Sequence, residues 1–243
     1  MNTAQFPSTC SHVLLWVRDL HQAVANFGAA GFQVTYATPR ARAQHAHIWF
    51  SQGPIIELLT TPRHAWLFKL PIDCLAGRGA GRRMLRWAAR GEGFCDLALL
   101  CDDQMLPSRL KDLAVRGVDM GRTVNWRRTC EDGSQTRFRF VYPRHDRLPF
   151  LVTPYQPSQH PGHMVHPNGA TGLAAIHLGV HPADQTAVGL LAGGDPLLRM
   201  STAERTGVLA VEIAGLAQPL KLHGARLLGS PTLEGESDAR RMH

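Results

Sequence analysis

Glu57 is the residue of this sequence whose surroundings point most directly to chemistry. It lies inside a five-residue run over 55–59 that reads Ile-Ile-Glu-Leu-Leu. A short apolar run is typical of a buried strand, and the alternation of side chains puts apolar neighbours on both faces around Glu57. An ionised carboxylate in such a place needs a cation, a metal ion or a hydrogen-bonding ligand. Glu57 is therefore predicted either to line a ligand cavity, as a catalytic base or metal ligand, or to form a structural ion pair with a nearby arginine.

Four histidines are candidates to act with Glu57. His12 opens an apolar run 45 residues before Glu57, and His177 opens a similar run late in the chain. His45 and His47 lie two positions apart, so they point to the same face of a strand and are candidate substrate contacts or substitute ligands. The structural alternatives are a strand-end His12 bonded to a backbone carbonyl, a His177 in the core, and an exposed edge face that carries His45 and His47.

Two adjacent arginines, Arg127 and Arg128, precede a predicted hairpin turn at Glu131-Asp132-Gly133. A guanidinium group binds a carboxylate or a phosphate through two parallel hydrogen bonds. Arg128 is therefore a candidate contact for an anionic group of a substrate. The alternative is an arginine at a strand end that contacts only solvent.

The elements that must position these residues form an internal repeat. Three segments each begin with a short apolar run and carry an aspartate seven residues after their first residue; they begin at His12, Asp96 and His177. The starts are 84 and 81 residues apart, and the aspartates are Asp19, Asp103 and Asp184. An apolar run of this length predicts a strand, and aspartate is a good N-cap for the helix that follows.

Each segment continues into further strands, so that each unit is predicted to be β-α-β-β-β. The units cover 11–60, 94–154 and 171–223 and form one domain over 8–229, followed by a polar tail over 230–243. Between the first two units, an Arg-rich amphipathic stretch over 82–90 is predicted to be a helix. The predicted fold class is α+β, built of repeated βαβββ units.

This pattern resembles the vicinal oxygen chelate superfamily and, more narrowly, its glyoxalase-like branch. The residues that carry the resemblance are His12-Val13-Leu14 with Asp19-Leu20, Gly31-Phe32-Gln33-Val34, Ile56-Glu57-Leu58-Leu59, Leu148-Pro149-Phe150 and His166-Pro167-Asn168-Gly169-Ala170. The resemblance implies curved, mixed, largely antiparallel sheets that curl into a cup, as in glyoxalase and bleomycin-resistance proteins. It also implies a divalent metal ion (Zn, Fe, Mn or Ni) in that cup, held by histidine and glutamate from first and fourth strands.

The identity of the metal ligands depends on which units face each other. If the first and third units do, His12, Glu57 and His177 are the predicted ligands, with Glu212 available as a fourth. If the first and second units pair, the site is incomplete, because Asp96 stands in place of the histidine and the stretch near Leu151 is apolar. The sequence leaves this choice open.

The resemblance implies a metal-dependent lyase, isomerase or dioxygenase that acts on a small oxygenated molecule in the cup. The alternative is a metal-free protein of the same fold that binds a small molecule or confers resistance to one. The net charge of +7 is the sole support for a nucleic-acid partner, which is therefore not expected, and a homodimer is a possible assembly.

Composition excludes two other classes of protein. Hydrophobic residues make up 44% of the chain, which excludes wholesale disorder, and the longest apolar stretches are of strand length, which excludes a membrane-spanning helix. The five cysteines form no CxxC pair, and no secretory signal is visible. We therefore expect reduced thiols and a cytoplasmic location.

Overall fold

Short apolar runs fold as strands here, and stretches with apolar residues three and four positions apart fold as helices, since each arrangement puts the apolar side chains on one buried face. The structure, a computed structural model, describes residues 8–62, 64–130 and 132–230. Of the predicted polar tail, all but Ser230 lies outside these ranges. The strands of the described residues are β1 (Thr9–Trp16), β2 (Thr35–Tyr36), β3 (His45–Ile48), β4 (Ile55–Leu59), β5 (Gly93–Leu100), β6 (Val124–Thr129), β7 (Gln135–Val141), β8 (Phe150–Val152), β9 (Gly172–Val180), β10 (Leu198–Thr202), β11 (Gly207–Ala214), β12 (Leu220–Leu222) and β13 (Ala225–Ser230). The α-helices are α1 (Leu20–Ala29), α2 (Lys69–Ala76), α3 (Ala80–Ala89), α4 (Leu106–Val115) and α5 (Gln185–Ala192).

The first two units form one eight-stranded sheet with the order β2-β3-β4-β1-β5-β8-β7-β6. The first strands of the two units, β1 and β5, pair antiparallel at its centre. Within each unit the fourth strand runs parallel to the first, β4 beside β1 and β8 beside β5, and the other pairs are antiparallel. The predicted α+β class with curved, mixed, largely antiparallel sheets is confirmed, and the units that pair are the first and the second.

The third unit departs from the predicted β-α-β-β-β order. Its strands form a separate five-stranded sheet with the order β10-β9-β11-β13-β12. In this sheet β10 pairs in parallel directly with β9, in the place that the fourth strand takes in the other units. Residues 193–197 alone connect α5 to β10, and this link is too short for two further strands. The prediction of a third complete unit is corrected on this point.

One continuous apolar core joins the two sheets. It contains Val13 and Leu15 of β1, Ile176 and Leu178 of β9, and buried side chains of α1, α4 and α5. Because side chains alternate along a strand, His12 and Leu14 of β1 point to the opposite face of the eight-stranded sheet. That face forms the wall of a cavity of about 740 Å³.

The three aspartates of the repeat lie near helix N-termini, but only one caps its helix through its side chain. Asp19 Oδ1 accepts a hydrogen bond of 3.0 Å from the backbone N–H of Gln22. Asp103 instead forms an ion pair with Arg139, with 2.6 Å between Oδ1 and Nε. Asp184 directly precedes α5, and its carboxylate accepts a hydrogen bond of 2.5 Å from the hydroxyl of Thr206. The prediction that all three act as side-chain caps is therefore wrong for the second and third.

The segment between the first two units covers the cavity. The Arg-rich stretch is helical, as predicted, and forms α3, whereas α2 was not predicted. Ile72 and Leu75 of α2 and Trp87 of α3 line the cavity opposite the sheet. No helix of the described residues is long and apolar enough to span a bilayer.

Candidate active site

The carboxylate of Glu57 lies at the centre of a cluster of imidazole groups on the cavity face of the eight-stranded sheet. His12 Nε2 is 3.1 Å from its Oε2, and His45 Nδ1 is 2.7 Å from its Oε1. His47 Nε2 lies further away, 3.7 Å from Oε1. The predicted alternative of an ion pair between Glu57 and an arginine is not what the described residues show.

Sheet register brings these side chains together. On the parallel pair β1–β4, Glu57 stands opposite Leu14 and His12 lies two residues earlier on the same face. On the antiparallel pair β3–β4, Glu57 stands opposite His47, and His45 lies two residues away from it. The spacing of two between the β3 histidines therefore has the predicted effect, because it puts both imidazoles on the face that carries Glu57; of the two, His45 lines the cavity.

The hydrogen-bond partners fix which ring nitrogen carries a proton. The hydroxyl of Ser11 lies 3.0 Å from His12 Nδ1 and can donate to it, so that Nε2 is protonated and donates to Glu57. His45 donates from Nδ1 to Glu57, and its Nε2 has no hydrogen-bond partner within the described ranges. About two fifths of the His45 side chain is exposed, so this second nitrogen can accept a proton from a molecule in the cavity.

Burial and the neighbouring groups set the charge of the cluster. Burial lowers the pKa of His12 to about 4, against the attraction of Glu57, so that this imidazole is neutral at pH 7. Burial lowers the pKa of His47 as well. For Glu57, burial alone would raise the pKa, but the imidazoles of His45, His47 and His12 hold the pKa of this carboxyl well below its usual range. Glu57 is therefore an ionised carboxylate that accepts hydrogen bonds.

We expect the free energy of unfolding to fall as the pH is lowered from 6.5 towards 4. In this window the unfolded chain binds a proton at His12 that the folded protein does not bind, since the folded-state pKa is about 4. A shift of this size corresponds to roughly 3 to 3.5 kcal/mol. Urea unfolding at several pH values measures the slope, and a His12→Gln variant should show a smaller one. An unchanged slope in that variant would contradict the assignment.

In the second unit, the two positions that correspond to His12 and Glu57 supply no metal ligand. Asp96, the counterpart of His12, is buried and accepts hydrogen bonds of 2.7 and 2.8 Å from Arg83 Nη1 and of 2.8 Å from Trp87 Nε1. The residue opposite Ala98 on β8, which corresponds to Glu57 opposite Leu14, is Phe150. Half of the predicted metal site is thus occupied by an ion pair and an aromatic ring.

His177 does not join His12 and Glu57. Its neighbours Ile176 and Leu178 face the shared core, so that His177 lies on the far face of the second sheet. There its Nε2 is 2.7 Å from Glu212 Oε1, and Arg199 Nη1 is 3.2 Å from the same oxygen. The core separates this cluster from the cavity, and the predicted set of ligands His12, Glu57 and His177 is not assembled.

The residues present do not fit a metal ion as they are arranged. No group of three or more His, Cys, Asp and Glu side chains in the described part of the chain could hold one. The ring nitrogens of His12 and His45 contact the two different oxygens of Glu57 and do not surround a common point. The arrangement is that of a hydrogen-bonded acid–base cluster.

Arg128 lines the same cavity, on β6 across from the cluster. Its guanidinium lies over the rings of Phe138 and Tyr155, with 5.6 and 5.2 Å to the ring centroids. Its Nη2 donates a hydrogen bond of 2.9 Å to Gln159 Oε1. Its role as an anchor for an anionic group stays a prediction.

Sequence reasoning missed the aromatic wall of the cavity. Its members are Trp87, Trp126, Phe138, Phe140, Tyr142, Phe150 and Tyr155. Phe138 and Phe140 alternate along β7, with Tyr142 directly after it, and all three share one face. This spacing of two, next to two arginines, was the signal that could have identified the wall.

Comparisons with known proteins agree with this architecture. A family model described as a glyoxalase-like domain matches residues 10–192. The crystal structure of a hypothetical protein from Staphylococcus aureus is similar with a TM-score of 0.68 and 12% identity, over 92% of this chain and 99% of that chain. At this level of identity the likeness concerns the fold.

Two methylmalonyl-CoA epimerases are also among the similar structures. The enzyme of Streptomyces coelicolor in complex with 2-nitronate-propionyl-CoA has 21% identity and a TM-score of 0.37, over 61% of this chain and 97% of its own. That of Mycobacterium tuberculosis has 16% identity and a TM-score of 0.39, over 63% and 90%. No curated protein matches the sequence. Because the family model spans most of the chain, including β1 to β9 and the Glu57 cluster, this protein belongs to the glyoxalase-like domain family of the vicinal oxygen chelate superfamily.

Proposed function

We propose that this protein is an enzyme of the isomerase or lyase type that moves a proton on a small oxygenated molecule bound in the cavity. The observation that carries the proposal is the pair formed by Glu57 and His45. An ionised, buried carboxylate holds one nitrogen of a half-exposed imidazole that lines the cavity. This is the arrangement of a positioned general base.

The pair supports a simple sequence of proton transfers. His45 Nε2 takes a proton from a carbon next to a carbonyl group, and the electron pair of the broken C–H bond moves towards the carbonyl group, which leaves the negative charge on the carbonyl oxygen. The imidazolium that forms is stabilised by the negative charge of Glu57, to which Nδ1 continues to donate. The proton then moves to another atom of the molecule, which gives isomerisation. Alternatively, the electron pair expels a leaving group, which takes up the proton from His45, and this gives a lyase reaction.

Two residues support this pair in the proposal. His12 donates to the second oxygen of Glu57 and keeps the carboxylate in one orientation. Arg128 holds an anionic group of the substrate from the opposite wall of the cavity. His47, which the sequence also marked as a substrate contact, is buried and is not among the residues that line this cavity.

Deuterium exchange tests this proposal together with the metal dependence predicted from the sequence. The protein is incubated in D₂O with a panel of 2-oxo acids and 2-hydroxy ketones, and exchange of carbon-bound protons is followed by NMR. We expect exchange that survives dialysis against a chelator. Exchange that is lost on chelation and restored by Zn, Mn, Fe or Ni would support the metal-dependent enzyme instead. Binding without any exchange across the panel would support the binding protein and contradict an enzymatic role.

A further inference from the structure

We propose that the substrate is an amphiphile: an oxygenated carboxylic acid whose head lies at Arg128 and whose extended apolar part runs beneath α2. This inference rests on the proposed function, because it names the class of molecule on which the Glu57–His45 pair would act. It follows from the uneven distribution of charge and apolar surface along the cavity.

One end of the cavity is suited to an anion. Arg42, Arg127 and Arg128 line the cavity, and none of the three lies within ion-pair distance of a carboxylate of the described residues. The guanidinium of Arg128 lies over the rings of Phe138 and Tyr155, and its Nε has no hydrogen-bond partner within the same ranges. A planar, immobilised guanidinium with an unused donor matches the planar geometry of a carboxylate.

The opposite end is apolar. Every second side chain of β6 points to the same face, which carries Arg128, Trp126 and Val124. From Arg128 to Val124 this face therefore leads away from the charged end. Val124 packs against Ala76 and Ala80 of the covering helices. Ile72 and Leu75 of α2 line the cavity there, and no charged side chain of this helix does. A carboxylate would lose its hydration at this end without finding a partner.

An aromatic wall connects the two ends without a break. Ring centroids are 4.7 Å apart for Tyr155 and Phe138, 6.2 Å for Phe138 and Phe140, and 5.1 Å for Phe140 and Tyr142. The volume of about 740 Å³ is of the size that holds drug-sized molecules. A molecule of three or four carbons would leave most of this wall in contact with water, whereas a long or aromatic apolar part would cover it.

The direction of binding follows from the site itself. Arg128 donates a hydrogen bond to Gln159, and the ring of the next residue, His160, lies 5.5 Å from that of Trp49, which in turn lies 5.2 Å from the ring of His47. This chain of contacts puts Arg128 at the end of the cavity near the Glu57 cluster. The acid head and the reacting carbon therefore lie close to the Glu57–His45 pair, and the tail leads away from it towards α2. Leu75 and Trp126 are each about half exposed, so the tail leaves the cavity between them.

Calorimetric binding of a series of 2-oxo carboxylates from four to ten carbons to the full-length protein tests the inference. We expect the affinity to rise about two- to fourfold for each added methylene group, as apolar surface is buried. The methyl ester of each acid should bind at least tenfold more weakly than the acid, since it lacks the charge that Arg128 recognises. An affinity that does not depend on chain length, or esters that bind as well as acids, would overturn the proposal without any variant being made.

Matched variants locate the two ends. Arg128→Gln should weaken every acid about tenfold and leave the chain-length dependence unchanged, whereas Arg137→Gln, on the neighbouring strand β7 and outside the cavity lining, should have no effect. Leu75→Ser should weaken the ten-carbon acid several-fold and the four-carbon acid not at all, whereas Leu70→Ser, exposed on the same helix, should change neither. Equal effects of a variant and its control would overturn the assignment of that end. Binding is measured here, so absence of proton exchange would refute the proposed function and leave this result intact.

Discussion

A Glu57→Gln variant is expected to fold and to lose proton-exchange activity by at least about 100-fold, the usual contribution of a positioned general base. Glutamine keeps the shape of the side chain and can still accept the hydrogen bond from His45. It cannot stabilise the imidazolium that forms when His45 takes a proton, because the negative charge is gone. Exchange measured by NMR under saturating substrate gives the size of the loss.

The stability of the same variant should stay within about 1 kcal/mol of the parent protein. His12 can change its tautomer, since the hydroxyl of Ser11 lies 3.0 Å from Nδ1 and can accept a hydrogen bond from it as well as donate one. Urea unfolding measures this difference. A large loss of stability would show that the charge of Glu57 holds the fold together, as a structural ion pair would.

Glu212→Gln is the matched control for the activity measurement. Glu212 contacts His177 at 2.7 Å, the same distance as between Glu57 and His45, but lies on the other sheet and outside the cavity. This variant should keep its full activity. Equal losses in both variants, or full activity in Glu57→Gln, would contradict the placement of the active site.

The largest loss of stability is expected for Asp96→Ala, at roughly 3 to 5 kcal/mol. Arg83 is fully buried, and Asp96 is its partner at 2.7 Å. Removal of the carboxylate leaves a guanidinium without a counter-charge in the interior, and the indole N–H of Trp87 loses its acceptor at the same time. Asp96→Asn should cost less, because the amide oxygen can still accept a hydrogen bond.

Asp146→Ala is the control for this experiment. Asp146 forms an ion pair with Arg86 at 3.2 Å, but Arg86 has a second carboxylate, that of Asp96, at 3.6 Å, so that the loss of Asp146 leaves no guanidinium without a counter-charge and should cost about 1 kcal/mol. Unfolding in urea should therefore separate the two variants by several kcal/mol. Similar midpoints for Asp96→Ala and Asp146→Ala would show that the Arg83–Asp96 pair contributes no more than the Arg86–Asp146 pair.

The sequence by itself determined the local elements and the importance of Glu57. Hydrophobic periodicity acts within a few residues, and it therefore identified the strands that begin the three units, the helices that follow them and the Arg-rich α3. The burial of Glu57 could be predicted because a carboxylate flanked by Ile55, Ile56 and Leu58 has no solvent-exposed face in a strand. The shared face of His45 and His47 followed from their spacing alone.

Only the tertiary structure decided which units pair, and with this it decided the composition of the site. The apolar faces of β5 and β9 are similar in sequence pattern, and a pattern does not state which of them lies beside β1. The pairing of β1 with β5 put Asp96 and Phe150 into the cup and left His177 on the far side of the core. Nor could the sequence show that Arg83, from the segment that covers the cup, neutralises Asp96. Contacts of this kind join residues far apart in the chain, and they form where the packing of whole elements brings their buried faces together.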